Sequence, residues 1–517
     1  MKAHVKRWLF LTHRWLGIGG CLLFAMWFAS GIVMMYVGYP KLTDAERLTH
    51  LPALSHEAPL LAPAMALGRA GVDGPLDALR LAASSGGRAV YVANANGGAV
   101  VIDAMSGARL QSVTAAHALA SAAAYAGPGV AVHYQDAIDE DAFTHSRGLD
   151  AHRPLHRVEM NDAERTLLYI SGRSGEVVRD ATHSEQLWNY AGAWIHWLYP
   201  FRGNVFQPYW TSIVNYLAIA GIVAALSGTA AGILRWRFRA PYRSGARTPY
   251  PGAMMRWHHV TGLLFALVTI AWIFSGLMSM NPWRIFDSGA PKLRMEALHG
   301  GPLTITSDDA APHALLAASA GTVRELRWVR VLGRNRVLAQ GAGGAPQVLD
   351  SRSAQPVVLD AAALQDAATR LVAAPVARID TLTAYDLYYY ARDAHTMTGG
   401  ADKPLPILRV VFDDPHATWV HLDPRTGAVL GHIDSGKRAS RWLFAMLHSW
   451  DWLPLLGRRP LWDIVLIVLS VGGLLLSVTG VVIGWRRLGK QLRTTRINPP
   501  RDAAPAGRPV PAAGRHG

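Results

Sequence analysis

Four histidines sit where a membrane-spanning chain has least reason to place one. His13 and His258 lie just inside one end of two long apolar runs, and His196 and His448 lie in tryptophan-rich segments, 188–198 and 442–452, ahead of two further runs. An ionisable side chain at membrane depth is a functional-site candidate by default. Neutral imidazole is the usual axial ligand of b-type haem iron, and helix bundles enclose cofactors with side chains from facing helices. No CxxCH motif is present, so a haem here would be held without a covalent link. The four histidines fall at two depths, which pairs His13 with His258 and His196 with His448 as ligands of two haem irons. Two such centres would divide a hydrocarbon core of roughly 30 Å into shorter electron steps. His259, turned about 100° from His258 on a helix, is the alternative ligand. The small residues Gly17, Gly19, Gly20, Gly262 and Ser275 leave room beside a macrocycle. The competing reading is that each histidine is an interfacial anchor or packing residue.

The elements that must position these residues are apolar spans. Half of the 517 residues are hydrophobic and only 17% are charged. That excludes disorder as the general state, and the single cysteine, Cys21, excludes a disulfide scaffold. Four runs reach the roughly 20 residues a bilayer crossing needs: about residues 8–37, 210–234, 254–280 and 461–485. The first is too long for the apolar region of a signal peptide and reads as a retained helix. Many of the 18 tryptophans flank these runs, as interface anchors do.

Basic residues cluster in three places: Lys2, Lys6, Arg7 and Arg14; the loop with Arg235, Arg237, Arg239, Arg243, Arg247 and Arg256; and the tail after Trp485. Together they exceed the chain's net +15, so the remainder is slightly acidic. The basicity is therefore a topology signal, and no nucleic-acid partner is expected. It places the N-terminus, the loop 235–253 and the tail 486–517, read as disordered, on the cytoplasmic side, with 38–209 and 281–460 outside. Arg458 and Arg459 run mildly against this, which long translocated loops tolerate.

The chain reads as a tandem duplication. Ser30-Gly31 follows His13 in the register in which Ser275-Gly276 follows His258. Gly175, His196 and Trp210 keep the spacing of Gly427, His448 and Trp462, and Arg157 to Asp162 aligns with Arg409 to Asp414. Each half is thus helix, outer segment, helix. The outer segments are α+β: residues 100–107, 167–175, 348–354 and 420–427 read as strand, turn, strand, with Ala-rich helices at 115–124 and 360–371 between them. Tyr388, Tyr389 and Arg409 are candidates for contact with an anionic outer ligand, although tyrosines beside a buried strand also serve as core. His133, His145, His152, His156 and His183 read as surface histidines, because Pro154 breaks the one helical spacing and the second half does not repeat them. No nucleotide loop, GxSxG elbow or HExxH motif is present, and no side chain is singled out as catalytic.

The half-repeat resembles the PepSY-associated transmembrane family. The residues that carry the likeness are His13-Arg-Trp-Leu-Gly17, the strands closing in Asp-Pro-Arg-Thr-Gly427, Leu447-His448-Ser-Trp-Asp-Trp-Leu-Pro454 ahead of Pro460-Leu-Trp-Asp463, and Asp386-Leu-Tyr-Tyr-Tyr390 with Leu405-Pro-Ile-Leu-Arg409. The likeness spans about residues 5–490 and departs at Phe143-Thr-His-Ser146 and Trp197-Leu-Tyr-Pro200. It implies two PepSY-like periplasmic domains on four transmembrane helices in a bacterial inner membrane. It also implies two b haems on His13, His196, His258 and His448, and an oxidoreductase that reduces a periplasmic ferric chelate or siderophore for iron uptake. With only a short cytoplasmic loop, the electron donor would be a separate protein or a quinol. The alternative is a haem-free membrane scaffold or sensor whose PepSY-like domains bind a periplasmic protein. A transporter is disfavoured by parallel rather than inverted repeats.

Overall fold

The computed structural model describes residues 3–95, 97–287, 289–290, 292–392 and 403–497, with side chains up to Lys490. Stretches rich in Leu, Ile, Val, Ala and Gly give, among the described residues, three helices long and apolar enough to cross a membrane: Ala3–Met34, Trp210–Arg235 and Leu461–Ile497. The run expected as a single third span is two helices, Ala253–Leu264 and Ala266–Ser279, bent by 67° at Phe265. Phe265 leaves helical geometry there, and its ring occupies the space that Gly472 vacates by lacking a side chain. The last helix also corrects the expected tail. It runs twelve residues past Trp485, through Arg, Lys, Gln and Leu, all good helix formers, and ends two residues before Pro499. Residues 498–517 lie outside the described residues.

The β-rich segments hold fourteen strands among the described residues. Strands β4 (Val132–Ile138), β5 (Leu155–Met160), β6 (Leu167–Ser171) and β7 (Val177–Ala181) form one antiparallel meander, and β11 (Val376–Leu382), β12 (Ile407–Phe412), β13 (Trp419–Leu422) and β14 (Val429–Ile433) form another. An Ala-rich helix packs on each. Ala118, Ala122 and Tyr125 of Ala115–Ala126 meet Val158, Leu168 and Ile170; Leu364, Ala367 and Ala368 of Ala361–Thr369 meet Val410, Phe412 and Val420. Small alanines let helix and sheet approach closely. Thr114 and Asp360 cap the two helices through their side chains.

The remaining strands depart from the expectation of one domain per segment. β1 (Ala78–Ser85), β2 (Arg88–Ala95) and β3 (Gly98–Asp103) join β8 (Glu325–Val331), β9 (Arg334–Gln340) and β10 (Gln347–Asp350) in one six-stranded sheet, ordered β10-β9-β8-β1-β2-β3. The junction is the antiparallel pair β1–β8, with Leu79 opposite Trp328 and Leu81 opposite Leu326. All four side chains are buried in a shared core with Tyr91, Ile102 and Leu349. The anticipated turns are present: Asp103, Ser171, Asp350 and Asp423 each accept backbone N–H bonds within their turns. Gly107, Gly175 and Gly427 then take φ of 78°, 72° and 74°, and in the fourth turn Ala354 does so at 57°.

Glu325 is buried at this junction, with Arg47 at 2.7 Å, Arg327 at 2.8 Å and Arg80 at 3.6 Å. Burial opposes its charge, but the three guanidiniums outweigh it and hold the carboxyl below its ordinary range. A carboxyl depressed in the folded state contributes stability above its unfolded pKa, about 4.3, and loses it as the pH falls through the lower folded value. Glu325→Ala takes the buried carboxylate away from three half-buried guanidiniums, of which Arg80 keeps Glu176 and Arg47 keeps Asp44, and is expected to destabilise the sheet by about 1–3 kcal/mol at neutral pH. Thermal melts of the solubilised protein against pH should show the difference from wild type shrinking in acid.

Candidate functional site

By density of contacts the chain divides into two units: residues 1–28, 220–270 and 469–517, and residues 29–219 and 271–468. Each holds one histidine pair.

In the first unit the rings of His13 and His258 lie 6.2 Å apart, centre to centre. His13 Nδ1 is 3.1 Å from the Ala224 carbonyl oxygen, and His258 Nδ1 is 3.2 Å from that of Leu476 and 3.2 Å from Thr479 Oγ1. A carbonyl only accepts, so Nδ1 carries the proton in both rings and Nε2 keeps its lone pair. Both carbonyls are one turn short of a glycine facing the ring, Gly228 and Gly480. A Cβ on Gly228 would fall 2.5 Å from His13 Cε1, and one on Gly480 would fall 3.3 Å from His258 Cε1. His259 is buried with both nitrogens engaged: Nδ1 at 2.7 Å from Thr248 Oγ1 and Nε2 at 2.9 Å from the Gly232 carbonyl. It has no lone pair to offer a metal without breaking one of these bonds.

In the second unit the rings of His196 and His448 lie 6.1 Å apart. Ser30 Oγ and His196 Nδ1 share a hydrogen bond of 2.9 Å, and Ser275 Oγ and His448 Nδ1 one of 3.0 Å. Both serines are buried. The Gly after each serine faces the imidazole, with a built Cβ at 3.7 Å for Gly31 and 3.6 Å for Gly276. Each histidine lies two residues past the end of a π-helical turn, Tyr190–Trp194 or Trp442–Met446, which extends a short helix, His183–Asn189 or Ser435–Arg441. Such turns recur at functional sites because the extra residue re-aims the side chains around it. Sequence reasoning noted the Ser-Gly register but not that the serine hydroxyls reach the imidazoles. The π turns carry no local sequence signal.

The outer-ligand candidates are placed differently. Arg409 is buried and forked onto Asp386 at 2.6 and 3.0 Å, while its Nε donates to His421 Nε2 at 2.8 Å. Burial first, and then the Arg409 charge, push His421 down to about 4, so it is the neutral acceptor this bond needs. Tyr389 is buried and donates to the Pro404 carbonyl at 2.8 Å; Tyr388 Oη accepts from Trp442 Nε1 at 2.9 Å. Arg409's charge is thus matched within the fold. In the other meander Arg157 forks onto Asp136 in the same way, at 2.7 and 2.6 Å. His152 bonds Ser171, His156 bonds Tyr134 and His145 bonds Glu140; among the described residues no three His, Cys, Asp or Glu side chains converge to hold a bare ion.

The chain is a membrane protein by its long apolar helices. No curated protein matches it. A family model does: with residues 8–332 and 344–504 matched, the chain belongs to the family described as the PepSY-associated TM region.

Proposed function

We propose that the protein is a di-haem electron conduit of the bacterial inner membrane that takes electrons from a cytoplasmic protein or quinol and delivers them to a periplasmic ferric chelate or siderophore. The observation that carries this reading is the form of the two histidine pairs. An imidazole nitrogen binds a first-row metal at about 2 Å, which puts the centres of two rings on opposite sides of one ion roughly 6 Å apart; the pairs stand at 6.2 and 6.1 Å. Every Nδ1 is engaged by a carbonyl or hydroxyl, the outer-shell bond that fixes the tautomer and ring orientation of metal-binding histidine. Two imidazoles and no third ligand suit an iron whose other four ligands come from a macrocycle. Bound haem would supply reversible one-electron chemistry at each pair.

The chain's own part is to hold the imidazoles. Ala224 and Leu476 carbonyls keep the proton on Nδ1 of His13 and His258, Ser30 and Ser275 orient His196 and His448, and glycines clear the ring edges. His258 rather than His259 is the ligand in this reading, since His259 spends both nitrogens on the fold. The same partners recur in the same register in both halves, which supports a tandem duplication with four spans, the bent pair counting as the third. The basic clusters support N-in and C-in topology.

The test is an absorption spectrum of the purified protein, oxidised and dithionite-reduced, with a pyridine haemochrome count. The expected result is a sharp reduced α band and about two haems per chain. Protein made with ample haem that shows no Soret band would overturn the proposal in favour of the haem-free scaffold.

A further inference from the structure

Seven residues before each histidine of the second pair lies a buried polar side chain with at least one hydrogen-bonding group that no described residue partners. Before His196 it is Asn189, 0% exposed, with neither Oδ1 nor Nδ2 partnered. Before His448 it is Arg441, 7% exposed. Its Nε donates to the Leu387 carbonyl and its Nη1 to Asp451 Oδ2 at 2.9 Å, but Nη2 has no partner. Arg392 reaches the same Asp451 oxygen at 2.7 Å and leaves Nε and Nη1 unpartnered, as Asp451 leaves Oδ1. Two guanidiniums thus share one buried carboxylate, an excess of one positive charge, and the Tyr390 ring backs Arg441 at 3.7 Å. Buried polar groups in native chains are nearly always paired, so unpartnered groups at the same place ahead of both histidines ask for an explanation.

Each side chain closes the short helix that the π turn extends, in one segment with its histidine, and Asp451, three residues past His448, holds Arg441 and Arg392. Two segments that approach one centre from opposite sides would bring Asn189 and Arg441 to the same edge of whatever lies between the imidazoles. We infer that Asn189, Arg441 and Arg392 form a carboxylate-binding edge to the second histidine pair, which, given the haem reading above, takes the propionates of that haem. The amide Nδ2 and the free guanidinium nitrogens are donors matched to carboxylate oxygens, and Arg pairs with carboxylates through two parallel bonds.

The inference is tested by haem release from the full-length, haem-loaded protein to excess apomyoglobin, with thermal melting of the haem-free chain alongside. Asn189→Leu is close in volume and removes an amide without a partner. It is expected to raise the melting temperature of the haem-free chain while releasing one of two haems at least tenfold faster. A purely structural Asn189 would not give that opposition of sign. Arg441→Gln is expected to speed release of the same haem, and loading with haem dimethyl ester should erase the difference from wild type. Release within twofold of wild type in both variants, while His448→Ala still loses that haem, would overturn the inference and leave the haem reading intact. Retained haem with impaired reduction of a carboxylate-bearing ferric chelate would reassign the edge to the substrate, also against it. A wild type without haem would overturn both.

Discussion

Replacing His448 with alanine is expected to remove one of the two haems and to stop electron delivery to the outer acceptor while leaving the other haem reducible from the donor side. In the proposed reading the imidazole is one of two protein ligands of its haem; in the fold it is held by Ser275, wholly buried, and preceded by a π turn. Outer-shell partners of a metal-bound histidine alone are worth roughly 10–100-fold in metal affinity, so loss of the ligand itself should exceed that. The pyridine haemochrome count should fall from two per chain to one, with the remaining spectrum that of the His13–His258 pair. His13→Ala should give the mirror result, one haem that the donor no longer reduces. His259→Ala supplies the contrast, since both its nitrogens bond Thr248 and Gly232; it should destabilise the chain and keep both haems. A full complement of haem in His448→Ala, or loss of haem in His259→Ala alone, would sink the assignment of ligands.

What the sequence made legible follows from how locally each feature is encoded. Apolar runs set the helices, and turns declare themselves in a few residues: Asp423 to Gly427 folds as its Asp, Pro and Gly demand. The meeting of the four rings in two pairs was legible because a shared spacing in the sequence carries it. Ser30 and Ser275 each follow a histidine in a common register, and the two serines meet His196 and His448. The shared six-stranded sheet was not legible, because nothing in β1 specifies β8 as its neighbour some 240 residues on; that choice is made by the core Leu79, Leu81, Leu326 and Trp328 build together. Nor was the bend at Phe265, which depends on an absent side chain at Gly472 rather than on a proline or glycine at the break. Arg409 looked like a charge offered to a ligand, and only the fold shows Asp386 already there.

Gly228→Ala is expected to cost the inner haem, although it adds a single methyl group to a helix. On helix propensity alone the change should be favourable by up to about 1 kcal/mol, because alanine loses less backbone freedom than glycine. The added Cβ would stand 2.5 Å from His13 Cε1 and 2.6 Å from Nδ1, well inside contact distance. The imidazole must swing away, and in doing so it gives up the Ala224 carbonyl that fixes its tautomer. The haem count should therefore drop from two to about one while the haem-free protein stays folded, overpacking costing about 1–3 kcal/mol against the gain in helix propensity. Gly31→Ala and Gly276→Ala are the controls. Their added methyls would sit 3.7 Å from His196 Cε1 and 3.6 Å from His448 Cε1, ordinary van der Waals contacts, so both variants should keep two haems. A haem-free scaffold predicts no spectral consequence from any of the three changes. The three clearances thus turn one kind of substitution into a graded measure of how tightly these imidazoles are held, and a Gly228→Ala protein with both haems in place would show that His13 is not a ligand.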